Sequence, residues 1–232
     1  MAELAPLREA TWPEVDASPR RLLLLPLGST EQHGPHLPLS TDTVVPTRLA
    51  EWVHEQLPQV GLAPAMPYGA SGEHEHFPGT LSIGTEALFT VLVEFVRHAC
   101  RDWRHVLVVN GHGGNADALR RAVELLRYED RSTHVHHAAS SGPRADAHAG
   151  YRETSLMLYL RPDTVRLNLA VVGAVAPMTE LLPRITAAGV RAVSPNGVLG
   201  DPTGANAQDG RRIFTEMADR LLAQVRLLLD TD

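Results

Sequence analysis

The chain has 232 residues, 44% hydrophobic and 21% charged, with a net charge of −6 at pH 7 when histidine is counted neutral. That balance excludes a disordered chain and argues against nonspecific nucleic-acid binding, which needs a cationic surface to release counterions from phosphates. All 21 basic residues are Arg, so no Lys is present to form a Schiff base or complete a phosphate-binding P-loop. Cys100 is the only cysteine, which rules out an internal disulfide and a multi-cysteine zinc site and suits a reducing compartment. It lies in a helical pattern and reads as a packed core thiol. The N-terminal stretch lacks the basic start and apolar segment of a signal peptide, and no apolar run approaches the roughly 18 residues of a membrane span. A cytoplasmic protein with no membrane or nucleic-acid partner is expected.

In chain order, Thr11, Pro13 and Glu14 predict a short capped helix. Residues 22–27, LLLLPL, form an apolar run closed by Gly28, the pattern of a strand buried on both faces. A helix is predicted from about Thr43 to Leu57, then a second strand within VGLAPAMPYG (60–69). After the polar loop GASGEHEHFPGT, the pattern gives a helix over 86–100, a buried strand over 105–109, an amphipathic helix over 116–127 and a strand in HVHHAAS (134–140). A helix over 150–160 ends at Arg161 and Pro162. Residues 163 to about 205 are rich in Gly, Pro and Val and give no clear element. A last helix from about Asn206 to Leu229 carries the apolar stripe Ile213, Met217, Leu221, Leu222, Val225 and Leu229.

Neither a repeat nor a linker interrupts the pattern, so residues 1–232 are expected to form a single α/β domain. Strands alternating with helices predict a layered α/β/α arrangement, with a mostly parallel central sheet and helices on both faces. The site of such a fold lies beyond the carboxyl ends of the strands. Two loops, one opening at Gly28 and one at NGHGGN (110–115), are therefore expected on the same sheet edge.

Those loops hold the groups that can do chemistry. In GSTEQHGPHLPLSTDT (28–43), Glu31 and His33 are separated by one residue and project to the same side of an extended segment. Asp42 follows a proline-stiffened loop just before the helix. Carboxylate and imidazole ligands without thiolates suit an open, hydrolytic Zn, Mn or Fe site better than a structural one. The plainer alternative is Asp42 as an N-cap beside surface polar residues. In NGHGGN, glycines on both sides let the backbone bend and leave the imidazole of His112 room to face an ion, the alternative being a glycine-rich turn with an exposed His. In HAGYRETS, His148 precedes Glu153 by five residues. Glu153 is either a ligand or a first-turn carboxylate favoured by the helix dipole, and His148 in the plain reading is an exposed loop residue.

The motifs LPLGSTEQHGPHLPLSTDT, HEHFPGTLSIG, VNGHGGN, HAGYRETS and GDPTGA follow one another in the order and approximate spacing of the creatininase-like amidohydrolases. The resemblance runs from about Trp12 to the final helix. It implies an α/β/α fold, a hydrolytic centre with two divalent metal ions per subunit (Zn, Mn or Fe), and a homo-oligomer, often a hexamer. By position it implies Glu31, His33, Asp42 and His112 as metal ligands, with Asp42 as the bridge. Creatininase has a Glu two residues after the His of NGH, where this chain has Gly114. Glu153 matches the Glu of the family's ETS motif and is expected to complete the second site. His148 matches the family histidine proposed to shuttle protons. His74 and His76 lie in the motif that the family places at the active-site mouth. They are expected to contact substrate, the alternatives being extra metal ligands, groups that orient the ligands, solvent-facing residues, or a polar EHEH loop at a subunit contact.

Creatininase closes tryptophans over the small planar ring of creatinine, whereas Trp12, Trp52 and Trp103 here lie outside the substrate loops, which tells against creatinine. The overall resemblance is instead to the mycofactocin-pathway branch of the family. That implies a peptidase releasing a C-terminal Val-Tyr dipeptide from a modified precursor peptide. A formamide hydrolase of deazaflavin- or riboflavin-type biosynthesis ranks second, because no Arg-rich or Gly-rich phosphate loop accompanies the substrate motifs. The alternative of a different class is a noncatalytic metal-binding assembly protein, opposed by the retained ligand set and His148.

Overall fold

The apolar runs become the inner strands of a parallel sheet. The structure, a computed structural model, describes residues 4–139 and 146–231. LLLLPL forms β1 (Leu22–Leu27) and HVLVVN forms β3 (His105–Asn110), with every residue of both buried. β2 (Gly61–Leu62) flanks β1 and β4 (Thr133–His137) flanks β3, giving the order β2-β1-β3-β4 with all neighbours parallel.

Successive side chains point to opposite faces of a strand, and that alternation sorts the core into two layers. Leu22, Leu24, Leu107 and Val109 pack against α2 (Thr41–Gln56), α5 (Tyr151–Leu160) and α7 (Ala207–Asp230). Leu23, Leu25, Val106 and Val108 pack against α3 (Thr85–Ala99) and α4 (Ala116–Tyr128). The expected α/β/α layering with helices on both faces is therefore present. The short α1 (Trp12–Asp16) is capped as predicted, the N–H of Thr11 donating to Glu14 Oε2 at 2.6 Å. Cys100 follows α3 and packs, partly buried, against the second layer, where burial pushes its thiol pKa up.

Three boundaries differ from the sequence reading. The second strand shrinks to two residues plus an isolated bridge between Leu27 and Met66, because Pro64 and Pro67 interrupt the ladder. The helix predicted from Thr43 starts at Thr41 with Ser40 at its N-cap, so Asp42 sits in the first turn instead of capping it. The stretch that gave no element contains α6 (Met178–Ala188), which has Pro183 inside and docks through Leu181 and Ile185 onto Val190, Leu199 and Phe77. Of the predicted HVHHAAS strand, Ser140 lies outside the described residues. No helix among the described residues is long and apolar enough to cross a membrane.

Strand order positions the site. From β1 the chain builds α2 and β2 on one side, then returns through α3 to β3 on the other side of β1. The loops leaving β1 and β3 therefore diverge, and a crevice opens between them at the carboxyl ends of the strands.

Candidate metal centre

Both diverging loops meet the first turn of α2 in that crevice. Gly111, directly after β3, lies so close to α2 that a Cβ there would collide with the carbonyl oxygen of Asp42. The Asp42 carboxylate accepts from Ser29 Oγ at 2.8 Å. Its Oδ1 is 3.1 Å from His33 Nε2 and its Oδ2 is 3.0 Å from His112 Nδ1. Asp42 thus stands between the two histidines, each from a different loop.

Glu31 is fully buried, and neither of its carboxylate oxygens has a hydrogen-bond partner among the described residues. Its Oε2 lies 3.2 Å from His112 Nε2, and its Oε1 lies 3.3 Å from His74 Nε2 and 3.7 Å from His148 Nδ1. A buried carboxylate whose oxygens face histidine nitrogens without a well-formed hydrogen bond is costly unless a cation satisfies it. Glu153, in the first turn of α5, brings Oε2 to 3.9 Å from His33 Nε2 and accepts from the N–H of Ala149 at 2.6 Å. Ala149 has φ +54°, a left-handed conformation that costs a non-glycine residue about 1 kcal/mol, and it links His148 directly to α5. Potential ligand atoms gather within 4.8 Å of one another in three groups: Glu31–Asp42–His112, His33–Asp42–Glu153 and Glu31–His33–His148. Two of these share Asp42, and carboxylate–imidazole sets of this kind suit Zn, Mn or Fe.

Hydrogen bonds orient the imidazoles. His33 Nδ1–H donates to the carbonyl of Glu31 at 3.2 Å, which turns Nε2 toward Asp42. His112 Nε2–H donates to the carbonyl of Ala70 at 3.0 Å, which turns Nδ1 toward Asp42. His148 forms a bridge with Leu199 through two backbone hydrogen bonds, at 3.2 and 2.9 Å, so its position is fixed by the segment ahead of GDPTGA.

Burial, reinforced by Asp42, raises the Glu31 pKa to about 8. Burial alone would lower both imidazoles, yet Asp42 raises His33 to about 10, and Glu31 together with Asp42 raises His112 to about 9. Burial would raise Asp42, but His33 and His112 hold it well below the ordinary carboxylate range. Burial also lifts Glu153 to about 7. A metal ion binds the deprotonated forms, so it competes with protons held by Glu31, His33 and His112 at pH 7. Zinc added to metal-free protein at pH 7 is expected to release protons, with affinity rising from pH 6 to 8. Calorimetry in two buffers of different ionisation heat measures this release, and identical heats would contradict it.

The structure brings Glu31, His33, Asp42, His112, His148 and Glu153 together, as expected from the motifs. It separates the two histidines of EHEH. His74 is buried at the cluster, whereas His76 is exposed, pairs with Glu75 at 3.7 Å, and does not line the cavity over the cluster. That cavity, of ≈ 740 Å³, has Glu31, Glu73, His74 and His148 on its polar side and Met178, Leu182 and Ile185 of α6 opposite. Sequence reasoning missed Glu73, whose Oε1 lies 3.6 Å from His112 Nε2. It also missed the apolar wall, since α6 itself went unseen. For Glu73 the available signal was its place inside the SGEHEHFPGT motif, next to His74.

A layered α/β sheet with carboxylates and imidazoles gathered at its switch point defines a hydrolytic scaffold fitted for divalent ions. The family model for creatininase (creatinine amidohydrolase) matches residues 8–225. A mycofactocin precursor peptide peptidase of Mycolicibacterium smegmatis is 52% identical over 209 residues, covering 86% of this chain and 84% of that one. The creatinine amidohydrolase of Pseudomonas putida is 30% identical over 195 residues, covering 70% and 74% of the two chains. A solved creatininase in an Mn form superposes with a TM-score of 0.80 at 26% identity, covering 97% of this chain and 98% of that one. A mutant creatininase of Zn-Zn type gives 0.80 at 25% identity with the same coverage. The chain belongs to the creatininase family.

Proposed function

We propose that this chain is the metal-dependent peptidase that releases a C-terminal Val-Tyr dipeptide from the modified mycofactocin precursor peptide. Hydrolysis of a carbon–nitrogen bond is the chemistry of its family. The observation that carries the reading is the pair of ligand groups sharing Asp42 beneath a cavity with an apolar wall. Glu31, Asp42 and His112 would hold one ion, and His33, Asp42 and Glu153 the other, each being Zn, Mn or Fe. Divalent ions there supply a water of lowered pKa and polarise the scissile carbonyl.

The protein's own groups handle the rest. His148 Nε2–H donates to the carbonyl of Gln32 at 2.8 Å, which leaves the lone pair of Nδ1 facing Glu31 across 3.7 Å. From there Nδ1 takes the proton of the attacking water and passes it to the departing amine nitrogen, which leaves poorly unless protonated. Met178, Leu182 and Ile185 give apolar side chains of the peptide a surface to bury. Trp12 and Trp103 are far from this role, one being 80% exposed on α1 and the other buried against Gly61. No tryptophan lines the cavity among the described residues, which favours a peptide over creatinine.

The working unit is one domain, cytoplasmic and assembled as a homo-oligomer, a hexamer in the family pattern. Leu167, Val172 and Val175 are exposed at 45%, 50% and 67%, apolar side chains that such an assembly would cover.

Mass spectrometry of the modified precursor peptide incubated with the protein tests the reading, with and without chelator and with creatinine as a control. Chelator-sensitive release of Val-Tyr with creatinine untouched is expected. An intact peptide in the presence of metal-loaded protein would sink the substrate.

A further inference from the structure

Gln32 lies between two of the candidate ligands in sequence, and its own side chain meets two histidines. Its amide orientation is settled by backbone groups. Oε1 accepts from the N–H of Gly34 at 2.9 Å, and Nε2 donates to the carbonyl of Gly197 at 3.0 Å. Gly197 has φ +82°, and a Cβ there would collide with Oε1, so the turn at Asn196–Gly197 is shaped around this amide. The second hydrogen on Nε2 has two nitrogens within reach, His74 Nδ1 at 2.8 Å and His148 Nε2 at 3.0 Å. His148 Nε2 is also 2.8 Å from the main-chain carbonyl of Gln32, which can only accept. The His148 proton therefore sits on Nε2, and the amide hydrogen goes to His74 Nδ1. Neutral His74 must then carry its own proton on Nε2.

The two rings, 4.6 Å apart between centroids, are thus in the same tautomer but present opposite groups to Glu31. His148 shows it the bare Nδ1 and His74 shows it the Nε2–H, at 3.7 and 3.3 Å from the same Oε1. We propose that Gln32 is a positioning residue that locks His74 as a neutral N–H donor beside Glu31, while its main-chain carbonyl keeps His148 available as a proton acceptor. The pairing separates a donor from a base at one carboxylate oxygen, and the Nε2–H of His74 becomes the group that faces Oε1 of Glu31 and orients it for metal. This rests on the reading of Glu31 as a ligand and His148 as the proton carrier.

Zinc-loaded protein with nitrogen-15 histidine gives the test, because nitrogen chemical shifts distinguish protonated, bare and zinc-bound ring nitrogens. In the native chain His74 and His148 are both expected to be protonated at Nε2, with neither bound to zinc. In Gln32→Leu, His74 is expected to gain the Nδ1–H form while His148 is unchanged, and zinc affinity is expected to fall about 10- to 100-fold, as for other outer groups that orient a ligand. Gln32→Glu keeps the size and the acceptor for Gly34 but presents an acceptor to His74 Nδ1. It is expected to drive His74 fully to Nδ1–H, and it carries the test if a thermal melt shows the Leu variant unfolded. An unchanged His74 tautomer, unchanged zinc affinity in a folded variant, or zinc on His148 Nδ1 would overturn the proposal. No peptide enters these readouts, so an inactive protein with both signatures would defeat the substrate reading and leave this one standing.

Discussion

Asp42→Asn is expected to lower kcat/KM for the peptide by at least about a thousandfold, roughly 4 kcal/mol of transition-state stabilisation, and to empty both metal positions together. The reason is geometric: the two oxygens of Asp42 face His33 and His112 separately, at 3.1 and 3.0 Å, and both ligand groups that would hold ions include this residue. Asparagine has nearly the same shape and still accepts from the Ser29 hydroxyl, so the fold should persist. Metal content after dialysis, measured by mass spectrometry alongside a thermal melt, checks the prediction. Loss of one ion with full retention of the other would show that the carboxylate is not shared.

His148→Ala is expected to leave metal content unchanged while lowering kcat by about 10²- to 10⁴-fold, the range for removal of a positioned acid–base group. KM should change little, because the cavity wall that meets the substrate is built mostly by other residues. The competing possibility is concrete, since His148 shares a ligand group with Glu31 and His33. Parallel loss of metal and turnover would assign His148 to that group as a ligand and remove it as the proton carrier.

The layers and most helices were legible because burial imposes a period. LLLLPL and HVLVVN are apolar at every position since both faces of each strand are covered, and the stripe of α7 repeats at helical spacing. The loops that end β1 and β3 were legible for the same reason: once those strands are placed, their ligand-rich exits must share an edge. What failed depended on local turns. EHEH reads as an alternation that would put both histidines on one side, but residues Gly72–His74 form a 3-10 turn. That turn leaves His74 3% exposed and sends His76 to solvent with its side chain 57% exposed. The same turn aims Glu73 into the cavity, which no extended reading would show. Asp42 was read as the residue before the helix, but the helix begins two residues earlier than expected, at Thr41 after Ser40, so Asp42 takes the second helical position. α6 was hidden by Pro183 and by its glycine- and valine-rich flanks, so the apolar side of the cavity emerged only from the fold.

The proposed centre would hold two ions in one crevice, with Asp42 among the ligands of both. Anomalous diffraction at the zinc or manganese edge, on crystals of the metal-loaded protein, tests it most directly. Two peaks are predicted, one within ligand distance of Glu31, Asp42 and His112 and the other of His33, Asp42 and Glu153. A single peak, or peaks away from Asp42 in fully loaded and active protein, would contradict the account.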